Sequence, residues 1–362
     1  MTEELFLTGA TGYIGSNLLT EWLESTDVIL NLLIRSKHEE CPHDRIMGVL
    51  AELCPDKDLS PLSSRIRILE GDISLDRFGL DESEYEMLAE RITHIIHCAA
   101  AARFDLELEE ARRINVGGAV NILNFARTCQ NLKKVDYIGT AYVAGKRTGV
   151  IREDELDKGQ EHNNTYEQSK LEAEKLVRKH MKELPITILR PSIVICDSKT
   201  GRASGYNGFY RALRMYYLGL MTVLPGYPSS LLDLVPVDYV ADATYSLSPN
   251  KNSVGKCYHL TAGLDNISTL GEIRDLASHF FRKEKFTLIP PEEFNVYVSK
   301  VEDNLTEKER ELIDEIRLYM PYMIGELQFD NTNTVRDTKL EVPKVSSYFG
   351  RMVEYMMKQS EK

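Results

Sequence analysis

Thr8-Gly9-Ala10-Thr11-Gly12-Tyr13-Ile14-Gly15, directly after the apolar run Leu5-Phe6-Leu7, decides how the rest of the chain is read. An apolar run followed by glycines at every third position describes a strand that turns sharply into a helix. Gly9 permits the tight turn, Gly12 lets backbone approach a pyrophosphate, and Gly15 allows close helix–strand packing. The helix that follows, Ile14 to Leu23, presents amides and the positive end of its dipole to phosphate. Thr11, Tyr13 and Ile14 belong to the same cradle. An ordinary strand–helix turn would also carry glycines. Position at the first strand of an alternating chain is what points to a dinucleotide.

That alternation runs through the first two hundred residues. Apolar runs at Val28 to Ile34, Arg65 to Leu69, Ile92 to His97, Lys134 to Ile138 and Ile186 to Leu189 are separated by helical patterns. Such a rhythm predicts a doubly wound parallel sheet of the Rossmann type, an α/β fold with both faces covered. After Pro191 it changes. Phe209 to Met221 is a Tyr- and Leu-rich helix, while Asp233 to Asp238 and Cys257 to Thr261 read as returns to the sheet. Thr306 with Glu309 fits a capping box for a helix that Pro321 should end. Residues 1–199 are therefore the expected nucleotide-binding domain, completed by about 233–261. Residues 200–232 and 262–362 form a smaller, mainly helical substrate lobe. For Tyr210, Tyr216 and Tyr217 two readings stay open, core packing and the wall of a ligand pocket.

Bulk properties exclude several classes. The 362 residues are 43% hydrophobic and 28% charged, with a net charge of −12, and they lack the clustered cations that nucleic acid needs. Six cysteines are scattered without a CxxC pair and read as buried free thiols. His38, Cys41, His43 and Cys54 match no familiar zinc spacing, so no metal is expected. The acidic start Met1-Thr2-Glu3-Glu4 is no signal peptide. No apolar run approaches the roughly 20 residues of a membrane helix, and a cytoplasmic protein is the expectation.

Chemistry is carried by Tyr166 and Lys170. On a helix they share one face, so the ammonium can sit beneath the phenol. A free phenol titrates near 10, and a neighbouring ammonium together with the nicotinamide ribose should draw it down towards a useful range. Alone this spacing is common; after the fifth strand of a dinucleotide fold it describes a proton donor. Thr140, at the end of the preceding strand, adds a hydroxyl for a carbonyl oxygen or oxyanion, whereas Tyr142 is read as packing. The second strand ends Ile34-Arg35-Ser36-Lys37, with no acidic residue to hold a ribose diol. Arg35, with Arg45 as a second cation, predicts a 2′-phosphate and hence NADPH.

Together these residues resemble the extended short-chain dehydrogenase/reductase superfamily. The likeness extends to Gly71-Asp72-Ile73, Ala99-Ala100-Ala101, Asn115-Val-Gly-Gly118 and Arg190-Pro191-Ser192. Within it the chain looks most like the thioester-reductase and fatty acyl-CoA reductase branch. Leu33-Ile34-Arg35, Gly139-Thr-Ala-Tyr-Val143, Ile151-Arg-Glu-Asp154, Asp233-Leu-Val-Pro-Val-Asp238 and Phe329-Asp-Asn-Thr-Asn-Thr334 carry that narrower likeness. The resemblance implies that Asp72 and Ile73 contact adenine and that Ala99, Ala100 and Ala101 line the cofactor's middle. It adds Asn115 to the cofactor-binding set and places Pro191, Ser192 and Ile193 beside the nicotinamide. It implies hydride transfer to a thioester carbonyl, release of thiol and aldehyde, and a second hydride for an alcohol.

The substrate implied is an acyl thioester, on CoA or on a carrier protein that must arrive in trans, because the chain starts at its first strand. A homodimer is left open. Two other readings stay on the table: a reductase or epimerase of a nucleotide sugar or hydroxyketone, and a cofactor-binding protein without turnover. Arg35 speaks against epimerases, and the intact Thr140, Tyr166 and Lys170 against the second.

Overall fold

Leu5 and Leu7 are buried on one side of their strand and Phe6 on the other, which is the period-2 signature of a sheet covered twice. The computed structural model describes residues 3–36, 40–203, 208–220, 222–301 and 307–360. Seven strands form the main sheet: β1 (Glu4–Thr8), β2 (Ile29–Ile34), β3 (Ile66–Glu70), β4 (His94–His97), β5 (Lys134–Ile138), β6 (Ile186–Pro191) and β7 (Cys257–Leu260). All pair in parallel, in the order β7-β6-β5-β4-β1-β2-β3. The chain thus winds outward from β1 in one direction and from β4 in the other. The reversal leaves a crevice beyond Thr8 and His97, where open α/β sheets hold ligands.

On one face α1 (Tyr13–Ser25) packs Leu18, Leu19, Trp22 and Leu23 onto the β1–β2 leucines. On the other face α3 (Leu108–Thr128) and α4 (Thr165–His180) press Ile122, Phe125, Ala173 and Val177 onto Phe6, Ile95 and Val135. Between them in sequence, α2 (Pro42–Leu53) flanks the cleft and seats Ile46 and Leu50 in the first cluster. A third cluster belongs to later elements. It joins α5 (Gly208–Leu218), α7 (Leu270–Phe281), α8 (Glu307–Met323) and α9 (Val345–Ser360), while α6 (Val237–Leu247) returns to the first face.

Several expectations need adjusting. Cys257–Leu260 does join the main sheet, but Leu234–Pro236 pairs with Ile193–Ile195 in a separate two-stranded piece. α5 stops at Leu218 because Gly219 takes φ +75°, where only glycine is comfortable. Pro321 does not end its helix: it sits in the last turn, and α8 runs on to Met323. A proline there forfeits one backbone bond, while Ile324 N–H still reaches Met320 O at 3.1 Å. Thr306 of the expected capping box lies outside the described residues, as does His38. Cys54, Cys129, Cys196 and Cys257 are buried free thiols, but Cys41 is exposed and Cys98 only half-buried. Cys41 accepts from Asp44 N–H as the N-cap of α2. Among the described residues no helix is long and apolar enough to cross a membrane, and no cluster of His, Cys, Asp and Glu could hold a metal ion.

Two buried carboxylates tie distant segments together. Glu174 accepts Nε and Nη2 of Arg190 at 2.9 and 2.7 Å, both side chains being fully buried. Glu153 accepts from His259 N, Asn333 N and Thr334 Oγ1, while Leu327–Phe329 pairs with Gly149–Ile151. The far end of the chain is thereby closed onto the sheet edge.

Candidate active site

Steric demands at the glycine turn are severe. Gly9 takes φ +79°, and a Cβ there would lie 2.7 Å from Ala99 N. A Cβ on Gly15 would lie 2.0 Å from Gly9 O, so the first turn of α1 packs directly on the loop carbonyl. Gly12 is the N-cap, and no side chain satisfies the amides behind it. They open into a cleft of about 360 Å³. Its walls include Gly9, Thr11, Gly12, Tyr13, Ile14 and Gly15 on one side, with Asp72, Ile73, Ala99 and Ala100 opposite. Arg35 and Arg45 line the end beyond β2. Arg45 is nearly buried, and its Nη2 donates to Thr11 Oγ1 at 3.1 Å. Arg35 is 63% exposed, with Nη1 3.8 Å from Asp72 Oδ2. One guanidinium is fixed, and the other lies largely in solvent beside Asp72. A bare loop and open amides fit the pyrophosphate of a nicotinamide dinucleotide.

At the other end of the cleft stand Tyr166 and Lys170, one turn apart on α4. Asn164 caps that helix by accepting Glu167 N–H at 3.0 Å, which fixes its first turn. Lys170 is 3% exposed; its Nζ donates to Ile138 O at 2.9 Å and lies 4.8 Å over the Tyr137 ring. Burial pulls its pKa down to about 8, with Cys98 and Glu174 acting in the opposite direction. The expected depression of Tyr166 is not what the protein alone produces. Burial pushes the phenol up to about 12, opposed by its hydrogen bond with Thr140. Both groups are thus held in their neutralising direction by desolvation. Thr140 is 4% exposed and follows β5, where its Oγ1 accepts Tyr142 N–H at 3.2 Å.

Beyond Tyr166 a second cavity of about 290 Å³ begins. Ile14, Ala102, Tyr166 and Val194 line both spaces, so the two meet at the phenol. Thr140 also lines it, and Leu224, Leu270, Ile273 and Phe286 form part of its apolar wall. From α5 it takes Phe209, Ala212 and Leu213. Tyr210 and Tyr216 of the same helix turn into the core, 3% and 4% exposed, and Tyr217 packs on Phe281. The tyrosines pack, then, and their apolar neighbours form the wall. Aromatic rings complete the rim: Phe104 stacks on Tyr322 at 5.2 Å, and Tyr322 meets Tyr142 edge-on at 4.8 Å. The Tyr322 hydroxyl donates to Glu167 Oε1 at 2.6 Å and accepts from Asn164 Nδ2 at 2.8 Å.

Some expected site residues stand elsewhere. Ser192 and Ile193 line the apolar cavity, whereas Ala101, Asn115 and Pro191 are in the wall of neither space. Asn115 is buried behind the cleft, binding Ala101 N and O with its carboxamide and donating to Ser169 Oγ at 2.9 Å. It shapes the alanine stretch from behind. Sequence reasoning missed Ala102, Phe104, Tyr319 and Tyr322 altogether. Adjacency to the three alanines could have found the first two; nothing local marks the others.

A parallel sheet in this order, a glycine turn at β1 and a Tyr/Lys helix after β5 define an extended short-chain dehydrogenase/reductase. The model of the male sterility protein family of NAD-binding domains matches residues 7–244, and the chain belongs to that family. It is 31% identical over 303 residues to the nonribosomal peptide synthetase cpsA of Aspergillus campestris, covering 80% of this chain and 28% of that protein. It is 28% identical over 303 residues to the fatty acyl-CoA reductase wat of Drosophila melanogaster, covering 73% and 58%. The chain therefore spans between about a quarter and three-fifths of those two relatives. Among solved structures, the terminal R domain of the myxalamid PKS–NRPS biosynthetic pathway superposes with a TM-score of 0.87 at 30% identity. All of this chain and 92% of that one are covered.

Proposed function

We propose that the protein is an NADPH-dependent reductase that converts an acyl thioester to the aldehyde. The observation that carries this reading is the junction at Tyr166 of a dinucleotide cleft with an apolar cavity. A sugar nucleotide would require polar groups throughout its pocket, while a hydrocarbon chain wants walls such as Leu224, Leu270, Ile273 and Phe286. The names of the relatives, a fatty acyl-CoA reductase and a peptide synthetase, point the same way. Arg35, just after β2, and Arg45, on α2, favour a 2′-phosphate and so NADPH.

Bound nicotinamide supplies the hydride. The protein's part is to hold the thioester carbonyl against Thr140 and Tyr166, whose hydroxyls stabilise the oxygen as it becomes an oxyanion. Tyr166 then gives that oxygen its proton, and Lys170 steadies the phenolate left behind. When the tetrahedral hemithioacetal collapses, the C–S bond breaks with its electron pair on sulfur and the hydroxyl proton returns to Tyr166. We infer that residues 200–232 and 262–362 form the substrate lobe, because they supply most of the apolar wall. The acyl group is taken as a CoA ester or on a carrier protein.

The test follows NADPH oxidation with acyl-CoA and pantetheine thioesters, aldehydes and nucleotide sugars. Thioester turnover that yields aldehyde is expected. Activity confined to sugars would remove this reading.

A further inference from the structure

Ser192 and Asp233 are a buried pair that the chemistry above leaves unused. Ser192, 8% exposed, lines the apolar cavity together with Thr140 and Tyr166. Its hydroxyl donates to Asp233 Oδ1 at 2.5 Å, and the same oxygen accepts Ala262 N–H at 2.7 Å. Asp233 is 2% exposed, and its other oxygen, Oδ2, has no hydrogen-bond partner. An orphaned carboxylate oxygen in the interior is costly, and a proton on it removes the cost.

Asp233, which does not line the acyl space, lines a further cavity of about 350 Å³. Arg147, Asn163 and Lys146 lie in its walls, and Arg147 Nη1 is likewise buried without a partner. A space that is polar and this large takes water. Tyr142 and Tyr322 are common to both cavities, so the Ser–Asp pair spans the partition between two chambers.

We propose that Ser192 and Asp233 relay a proton from this polar chamber into the acyl cavity, delivering it to the thiolate that leaves during thioester reduction. The step rests on the function proposed above and supplies what that function lacks. Tyr166 lends its proton to the oxyanion and recovers it on collapse, and giving it to sulfur would leave a phenolate with no proton for the next turnover. As the C–S bond breaks, sulfur takes the electron pair and the Ser192 Oγ proton. The Asp233 carboxyl, protonated on Oδ2, turns to present that proton to the Ser192 Oγ, and the oxygen then facing the polar chamber is reprotonated by its water. One proton is consumed, and it ends on the thiol. Burial pushes Asp233 up to about 6, with Ser192, Ala262 and Gly263 opposing. Transfer from such a carboxyl to a thiolate, whose acid titrates near 8.5, is downhill. The titratable groups that feel its charge are the buried phenols Tyr142, Tyr239 and Tyr348.

Reduction of an aldehyde expels no thiolate, which makes the proposal testable by ratio. Asp233→Asn keeps an acceptor for Ser192 and Ala262 but cannot relay. Turnover of the best substrate in a butanoyl- to stearoyl-CoA panel is compared with that of its aldehyde and its S-phenyl thioester. In Asp233→Asn and Ser192→Ala the CoA-to-aldehyde ratio should fall by about 100-fold, the low end for a lost general acid. Ser192→Thr should restore it. The S-phenyl ester, whose thiolate leaves unprotonated, should show no such fall. Equal losses on all three substrates would mean a structural pair, and an unchanged ratio would mean no relay; either overturns the proposal. A wild-type protein that reduces aldehydes but no thioester would overturn the underlying function, and the relay with it.

Discussion

Lys170 donates to a single carbonyl, Ile138 O, from a site that is 3% exposed. Its pKa of about 8 lies below the ordinary 10.5, so the unfolded chain binds the extra proton between those values. Stability therefore rises with pH across that window, and below about pH 8 the full cost of burying the charge is present. Lys170→Met should melt higher than the wild type at pH 7, with the advantage shrinking as pH rises from about 8 to 10.5. It should also abolish turnover. Thermal midpoints across that range, beside an activity assay, decide the matter; a variant that melts lower at pH 7 would show that the ammonium is stabilising. Arg35→Ala should weaken NADPH binding far more than NADH binding, as read by titration with each, and equal losses would dismiss Arg35 as the phosphate clamp. Tyr166, Lys170 and Arg35 could be singled out in the sequence because each stands beside a strand that the alternation of the chain marks. Asn115 was singled out only by resemblance, because the sequence pattern is the same whether its carboxamide faces a ligand or, as here, the back of the alanine loop.

Elements succeed or fail at their junctions. Gly15→Ala would drive a methyl against Gly9 O, 2.0 Å from where its carbon must sit. α1 must then shift off the loop, and cofactor binding should be lost even where the fold survives; calorimetric titration checks this, and an unchanged affinity would contradict it. Glu174→Gln leaves Arg190 charged and fully buried, so it should cost about 3–5 kcal/mol in urea denaturation. The sheet strands were legible because a strand buried on both faces has little choice but to be continuously apolar. Helix ends were less so. Pro321 marks a boundary only approximately, since the last turn has few backbone bonds for a proline to break. The split of Asp233–Asp238 from Cys257–Thr261 had no local signal: which partner an apolar run finds is decided by the whole sheet.

At the scale of the molecule, the apolar cavity is assembled from residues as far apart as Ile14 and Met323. No window of sequence contains it, and the tyrosines that drew attention to α5 proved to face the core. Ala212→Trp should fill this space and raise KM for thioesters while leaving NADPH affinity intact, measured by steady-state kinetics and titration. A loss of both would show that the two spaces are not separable. The Tyr322 hydroxyl reaches from α8 to Asn164 and Glu167, which flank Tyr166 in the first turn of α4. A contact of that kind makes two binding events partners in one equilibrium. Whatever steadies α8 by occupying the cavity must also steady the turn that presents Tyr166, and reciprocity requires the converse by the same factor. An unreactive acyl thioether should slow hydrogen exchange in α4, and Tyr322→Phe should uncouple the two without emptying either site. The protein would then sense a loaded cavity through one phenolic proton.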